Sequence, residues 1–398
     1  MTQFKKTKLA AAVLAATIAA PASAVSWSAG DWEVSYTGTI NLFYNQMDND
    51  SSLQGNSAHL NEGLLPAFHT MKVVGPATNG LTGSAQISFA PDSSSGKTDG
   101  QNKTGEDIDM REVFFNVEGS FGTISVGRTL SLFSRGAILN DMTLFGVGAM
   151  AGLDGGGTSL GRIAHGYTYA EFNTRFAWKS PDMNGFNIEV GIFDPLEGSG
   201  GNAANFETDT PQFQVAANYS TSFDGGSVAL WADGIYQEME GRTNAGTGAG
   251  AFNTSGEVKT HGIGLGASVS AGGLGIVASM YDGEALGSVR QVDTNSYQCT
   301  ATQCQEAEAD GYYIQATYNV SDATKIGLSY GETNQDNVSL VNAVNNTGDS
   351  DIERSNELTT IGVYHDVNSW LKVVAEYNDQ TSQFGNISDI SLGGFIFW

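Results

Sequence analysis

The sequence predicts an all-β chain closed into a sixteen-stranded antiparallel barrel. Three observations support that fold class. Segments of about ten residues alternate apolar and polar side chains, and strand side chains alternate between two faces. The connectors between these segments alternate short and long. The composition is neither that of an ordinary soluble domain nor that of a disordered chain: 51 of 398 residues are Gly, 40% are hydrophobic and 15% are charged, where soluble domains carry about 25% charged residues.

The segments follow in order. The first, 32–45, sets Val34, Tyr36, Ile40 and Leu42 against Ser35, Thr37, Thr39 and Asn41. Segments 64–75 and 80–90 come next, the second with Ala85, Ile87 and Phe89 opposing Ser84, Gln86 and Ser88. A tight turn at 119–122 joins 108–119 to 122–128. Segments 172–181 and 184–193 form another pair, with Ile188, Val190 and Ile192 against Asn187 and Glu189. The remaining segments are 211–221, 226–240, 258–270, 273–282, 309–320, 323–333, 355–366, 369–381 and 388–398. Long connectors at 194–210, 241–257, 283–308 and 334–354 are polar and acidic. Short turns at one end and long loops at the other are the pattern of an outer-membrane barrel. The apolar faces carry small residues such as Gly38, Gly83 and Ala85, too thin for a packed core. Tyr44, Tyr219, Tyr318 and Tyr377 gather at segment ends, as interfacial girdles do. The expectation is therefore a transmembrane β-barrel that turns its apolar face to lipid and has no open edge. A secreted β-rich adhesin or enzyme with the same alternation is the alternative.

The N-terminus sets the compartment. Lys5, Lys6 and Lys8 precede a twelve-residue stretch, Leu9 to Ala20, that is apolar but for Thr17, and then Pro21, Ala22, Ser23 and Ala24. A basic start, a short apolar run and a small-residue end make a secretory signal peptide, residues 1–24. The run is too short to span a bilayer of ~30 Å as a helix. The mature chain, 25–398, forms one barrel domain. Acids outnumber bases 43 to 18, for a net charge of −25. Removing three lysines with the signal leaves 15 bases and a charge of −28. Such a charge argues against a nucleic-acid partner, which needs a basic face. Cys299 and Cys304, the two cysteines of the chain, allow a loop disulfide in an oxidising compartment; zinc is the alternative, with no His beside them. No nucleophile elbow, phosphate loop or paired catalytic motif is present, and no cofactor is expected. The acidic loops could hold divalent cations that bridge lipopolysaccharide.

Three motifs carry a family resemblance. Ile108 to Arg128 holds Arg111, Glu112, Gly119, Phe121, Gly122, Gly127 and Arg128 at the spacing of a porin hairpin. Asn173, Ser180, Pro181, Gly185 and Phe186 match the strand and turn that follow in that family. The chain ends Phe395, Ile396, Phe397, Trp398, similar to the terminal signal read by the outer-membrane assembly machinery, although Phe is the usual last residue. The mature chain thus resembles the general Gram-negative porins, sixteen-stranded trimeric channels. That resemblance implies a homotrimer in the cell outer membrane that passes small hydrophilic solutes and ions by passive diffusion.

It also implies that the third loop, 129–160, folds into the barrel and narrows it, with loop acids opposite wall bases. Asn140-Asp141-Met142 resembles the loop's Thr-Asp-Met segment, which makes Asp141 the acidic candidate. Asp154 is a substitute for the second carboxylate, absent here. Arg128 matches the wall arginine, although strict alternation places it with Ile124 and Val126, so an inward Arg128 needs a bulge or strand end. Arg162 resembles the arginine after the loop. Arg175 stands three residues on from the family's next arginine, and Phe68 or His69 replaces another. Arg111 is a further constriction candidate, or a wall pair with Glu112. For Asp154, Arg135 and Arg175 the first reading is that of solvated surface groups, as a scattered Arg or Asp in a loop usually is. The net charge and the thinned basic cluster suggest a mild cation preference. The alternative within the same fold is a substrate-selective channel with a binding track at loop 3 that includes Phe133 and Phe145.

Overall fold

A computed structural model describes residues 24–50, 56–91, 108–150, 157–196, 206–241, 256–293, 296–299, 304–336, 354–382 and 385–398. Sixteen barrel strands run β1 Trp32–Asn49, β2 Phe68–Val74, β3 Thr82–Pro91, β4 Ile108–Gly119, β5 Gly122–Leu130, β6 Phe172–Lys179, β7 Phe186–Phe193 and β8 Gln212–Phe223. They continue β9 Gly226–Gly241, β10 Glu257–Ala271, β11 Leu274–Glu284, β12 Glu308–Asn319, β13 Thr324–Gln335, β14 Arg354–Asp366, β15 Leu371–Ser382 and β16 Gly385–Phe397. Each pairs antiparallel with the next. The ring closes where Thr39–Asn49 of β1 pair with Phe397–Ile387 of β16, sealed by Gly38 and Trp398 exchanging backbone hydrogen bonds of 3.0 and 3.1 Å. Each predicted segment matches one of these strands. A hairpin partner, Val25–Ala29, lies along the start of β1 and was not anticipated. Ser57–Asn61 extends the β2 side of β1, from Phe43 to Met47.

Burial distinguishes this barrel from a sandwich. The large exposed hydrophobics belong to the outward register: Ile40, Leu42, Ile263, Ile314, Leu328 and Ile361 are all 40% exposed or more. Exposed aromatic side chains form two belts. Trp178, Phe223, Tyr318 and Trp370 lie near the short-turn end, and Tyr44, Phe213, Tyr236 and Tyr312 nearer the long-loop end. A continuous apolar exterior bounded by aromatics is a lipid-facing surface. No helix among the described residues is long and apolar enough to cross a membrane; the strands do so.

The core is inside the barrel. Trp231, Ile235, Tyr281, Tyr313, Tyr364, Phe395 and Phe397 point inward and are buried. Alternation alone assigns the inner face to water. These positions are apolar because the segment 131–171 packs on them.

Candidate functional site

The segment 131–171 connects β5 to β6, and its hydrogen bonds trace its path. Leu132 and Phe133 N–H donate to Gln214 Oε1 on β8 at 2.8 and 2.9 Å. Ser134 N–H donates to Asp233 Oδ1 on β9. A single helical turn and a half, α1 Arg135–Asn140, follows. Tyr313 Oη on β12 donates to Ala137 O at 2.8 Å, and Gln315 on β12 bonds both Asn140 O and Met142 N–H at 2.8 Å. Val147 and Gly148 N–H then donate to Glu376 Oε2 on β15 at 2.8 and 2.9 Å. Only a segment lying within the barrel can reach inward side chains on β8, β9, β12 and β15. Gly146 permits the closest approach: a Cβ there would sit 1.8 Å from Glu376 Oε1.

Asp141 and Arg162 hold the two limbs of this loop together. Asp141 ends α1 and caps the 3₁₀ turn Met142–Phe145. Its carboxylate accepts from Thr143 N–H at 2.9 Å, Thr143 Oγ1 at 2.6 Å and Tyr167 Oη at 2.7 Å. Arg162 Nε faces Asp141 Oδ1 at 3.8 Å, and neither side chain is exposed. The guanidinium also donates to Leu358 O at 3.0 Å and to Ser329 Oγ. Asp141 therefore does not oppose Arg128 across open water, which corrects the expectation for both Asp141 and Arg162. A pair without solvent contact positions the loop and touches no passing solute. Phe133, offered as part of a binding track, is likewise fully buried.

The other candidates are placed differently. Arg128 is exposed and lies in register with Val113 and Thr174. Gly127 before it has φ +121°, a backbone irregularity at the position where alternation required one. The β-bulge falls instead on β4, where Ser88 pairs Glu112 and Phe89 pairs Met110. This leaves Arg111 as the extra residue, which is how it escapes the outward register. Arg111 reaches Tyr169 Oη at 2.9 Å, ion-pairs with Asp109 at 2.7 Å and lies 5.5 Å from the Phe172 ring centre. Arg175 and Arg135 are not solvated surface groups. Both pair with buried Glu189, at 3.3 and 2.6 Å, so the start of α1 is tied to β7. Asp154 lies outside the described residues.

A second insertion was missed. After β11, Ala285 and Leu286 are buried and Gln335 Nε2 donates to Leu286 O at 2.9 Å. Gln291, fully buried, bonds Gln214 and Ala170 O at 3.1 and 3.2 Å, and Tyr169 N–H donates to Val289 O at 3.0 Å. This stretch packs onto loop 3 from the long-loop side. A small hairpin beyond it places Cys299 opposite Cys304, and Cys304 is disulfide-bonded. At the terminus, Phe395 and Phe397 stack at 5.6 Å beneath Phe145. Trp398 lies 5.9 Å from Tyr36 and 5.2 Å from His69.

The loop's titratable groups reflect its burial. Burial lowers the His165 pKa to about 4, with the Arg162 charge adding to the effect. Tyr167 is raised well above its usual value by burial and then by Asp141. Burial also raises the Glu171 carboxyl, against the opposing pull of the Gln291 N–H and of Arg290 and Arg128. Among the described residues, no three His, Cys, Asp or Glu side chains come together to hold a metal ion.

Loop 3 and the second insertion cover the wall from β8 round to β16. The wall from β2 to β7 stays polar: Thr70, Lys72, Gln86 and Glu112 in the inward register of β2–β4 are partly exposed, while Ser125, Thr129, Arg175 and Glu189 on β5–β7 are buried. A closed, lipid-facing barrel narrowed from within to one polar passage is an outer-membrane channel. A family model described as Gram-negative porin matches residues 10–384. The chain belongs to the Gram-negative porin family and serves as an outer-membrane channel for passive diffusion of small hydrophilic solutes. Solved structures of similar fold include the anion-selective porin from Comamonas acidovorans, at 14% identity over 92% of this chain and 100% of that one, TM-score 0.63. The outer membrane channel DcaP of Acinetobacter baumannii is similar at 11% identity over 93% and 99%, TM-score 0.66. OmpT of Vibrio cholerae in its trimer form is similar at 14% identity over 93% and 100%, TM-score 0.54. A search of curated protein sequences found no significant match.

Proposed function

We propose that solutes cross between loop 3 and the β2–β7 wall, and that this wall, rather than the chain's net charge, sets ion preference. One observation carries the reading. Lys72, Arg111, Arg175 and Lys179 on the wall, with Arg135 on α1, face Asp109, Glu112 and Glu189. With Glu118, which shares the inward register of Glu112 and flanks Thr123 opposite Lys179, bases exceed acids only five to four along the passage, although the whole chain carries −25. Fixed charge in a low-dielectric channel acts over short range, so local sign outweighs distant loop charge. The cation preference suggested by net charge gives way to a mild anion preference. Purified protein in a planar bilayer under a KCl gradient tests this. A reversal potential displaced toward that of chloride supports the reading, and one displaced toward that of potassium overturns it.

The conduit works without a catalytic step. The proposed assembly is a homotrimer, as in the trimer form of the Vibrio cholerae protein. The proposed precursor loses residues 1–24, which lie almost wholly outside the described residues. Phe395, Phe397 and Trp398 serve as the signal to the assembly machinery, and lipopolysaccharide contacts the exterior.

A further inference from the structure

Resting on that path, we propose that the stretch of it beside the start of β2 and of β6 is a binding site for small organic anions with an apolar body, such as an aromatic carboxylate. The site is the guanidinium of Arg111 beside the rings of Phe68 and Phe172.

The geometry begins with the two rings. Phe68 opens β2 and Phe172 opens β6. Four strand spacings separate them along the wall, nearly 20 Å at about 4.8 Å per strand. Yet their ring centres lie 6.2 Å apart, so they meet across the interior. Both are partly exposed, whereas the aromatic residues beneath loop 3, Phe133, Tyr167 and Tyr313, are sealed. Phe68 also packs against the core that holds Phe145, itself partly exposed. The result is an apolar strip in a passage that otherwise presents polar side chains.

Charge lies directly against this strip. The bulge on β4 brings Arg111 over the Phe172 ring, 5.5 Å from its centre. The Tyr169 hydroxyl accepts from Arg111 Nη1 at 2.9 Å and holds the guanidinium in place. A carboxylate on Arg111 would leave its apolar body against Phe68 and Phe172. Such a pairing rewards both halves of the solute, since guanidinium recognises carboxylate and aromatic faces pack on apolar groups. A hydroxylated anion would use only the charge, and an aromatic cation would meet Arg111 with like sign. Asp109 limits the site: it pairs with Arg111 at 2.7 Å and its side chain is 53% exposed, so it competes with an incoming anion.

The test is block of KCl current in bilayers by three probes: benzoate, gluconate and benzylammonium. KCl conductance is recorded first, so absence of any channel current would count against the diffusion reading and not against this site. Benzoate should block saturably, at roughly threefold to tenfold lower concentration than gluconate, the range expected of one aromatic contact. Benzylammonium should be the weakest of the three. Phe172→Ser should remove the benzoate advantage and Phe172→Tyr should retain it. Asp109→Asn, a change at an exposed side chain, should tighten benzoate block by about twofold to fivefold, the range of an exposed ion pair released. Equal block by benzoate and gluconate overturns the proposal, as does stronger block by benzylammonium. No response to Asp109→Asn overturns the role of Arg111. The ordering of the three probes on the unaltered chain decides the matter even if a variant fails to fold.

Discussion

Replacing Arg162 by Met separates a loop staple from a pore charge. The unbranched stem is kept, two atoms shorter, while the guanidinium and its bonds to Leu358 O and Ser329 disappear. Asp141 then remains buried with its charge and only Thr143 and Tyr167 as donors. Removing one member of a buried pair costs about 3–5 kcal/mol. The barrel ladders are untouched, so that cost falls on the closed arrangement of loop 3. A penalty of 3 kcal/mol raises the open-to-closed ratio of the loop by about a hundredfold. Hydrogen exchange over 157–171 should therefore accelerate, and single-channel records should become noisy. The double variant Asp141→Asn with Arg162→Met removes the stranded charge and should restore much of the protection, because an amide oxygen still accepts from Thr143 and Tyr167. Unchanged exchange in Arg162→Met, together with a clean shift in reversal potential, would refute the reasoning and return Arg162 to the water-filled passage.

Other outcomes follow from the same contacts. Glu376→Ala leaves the N–H groups of Val147 and Gly148 and the Tyr364 hydroxyl without their acceptor; at about 1–3 kcal/mol for each stranded group, loop 3 should lift from β15 and conductance should rise. Gly146→Ala drives a methyl into the Glu376 carboxylate and should raise conductance in the same way, measured beside unaltered protein. His165 has a folded pKa of about 4, below its ordinary 6.5, so its contribution is complete above pH 6.5 and lost as pH falls through 4. The loss amounts to about 3 kcal/mol. Glu171, raised by burial, contributes with the opposite sign, so the His effect is read as the pH-dependent difference in loop exchange between the unaltered chain and His165→Asn.

Most of the barrel was legible because a half-buried strand states its period in its own residues. Strands 108–119, 226–241 and 355–366 are found within a residue or so of their predicted limits, since tight turns such as Gly119–Gly122 end them abruptly. Period two says which residues share a face, but not what covers that face. The inward Trp231, Ile235 and Tyr281 find their apolar partners only in a segment far from them along the chain. The same limit applies to the site. Asp141 was found through its motif neighbours, and Arg162 by its place after the loop. Their mutual burial depends on Ser329, Leu358 and Tyr167, which no local pattern connects to them. Arg111 needed a bulge that Ser88 and Phe89 do not announce. Gln291 sits in an acidic connector whose composition suggests only solvent. Net charge is silent on the passage for a related reason: a total of −25 does not give the sign of a wall built from a few inward residues.

On the proposed path, solutes run along β2–β7 and not along the covered wall. Thiol accessibility tests it most directly, since the described cysteine is already disulfide-bonded. Ser84→Cys places a thiol on the inward face of β3, and Ser279→Cys one on the inward face of β11 beneath the loops. A charged thiol-reactive reagent should reduce current through Ser84→Cys and leave Ser279→Cys unaffected. Block at Ser279→Cys with none at Ser84→Cys would contradict the account.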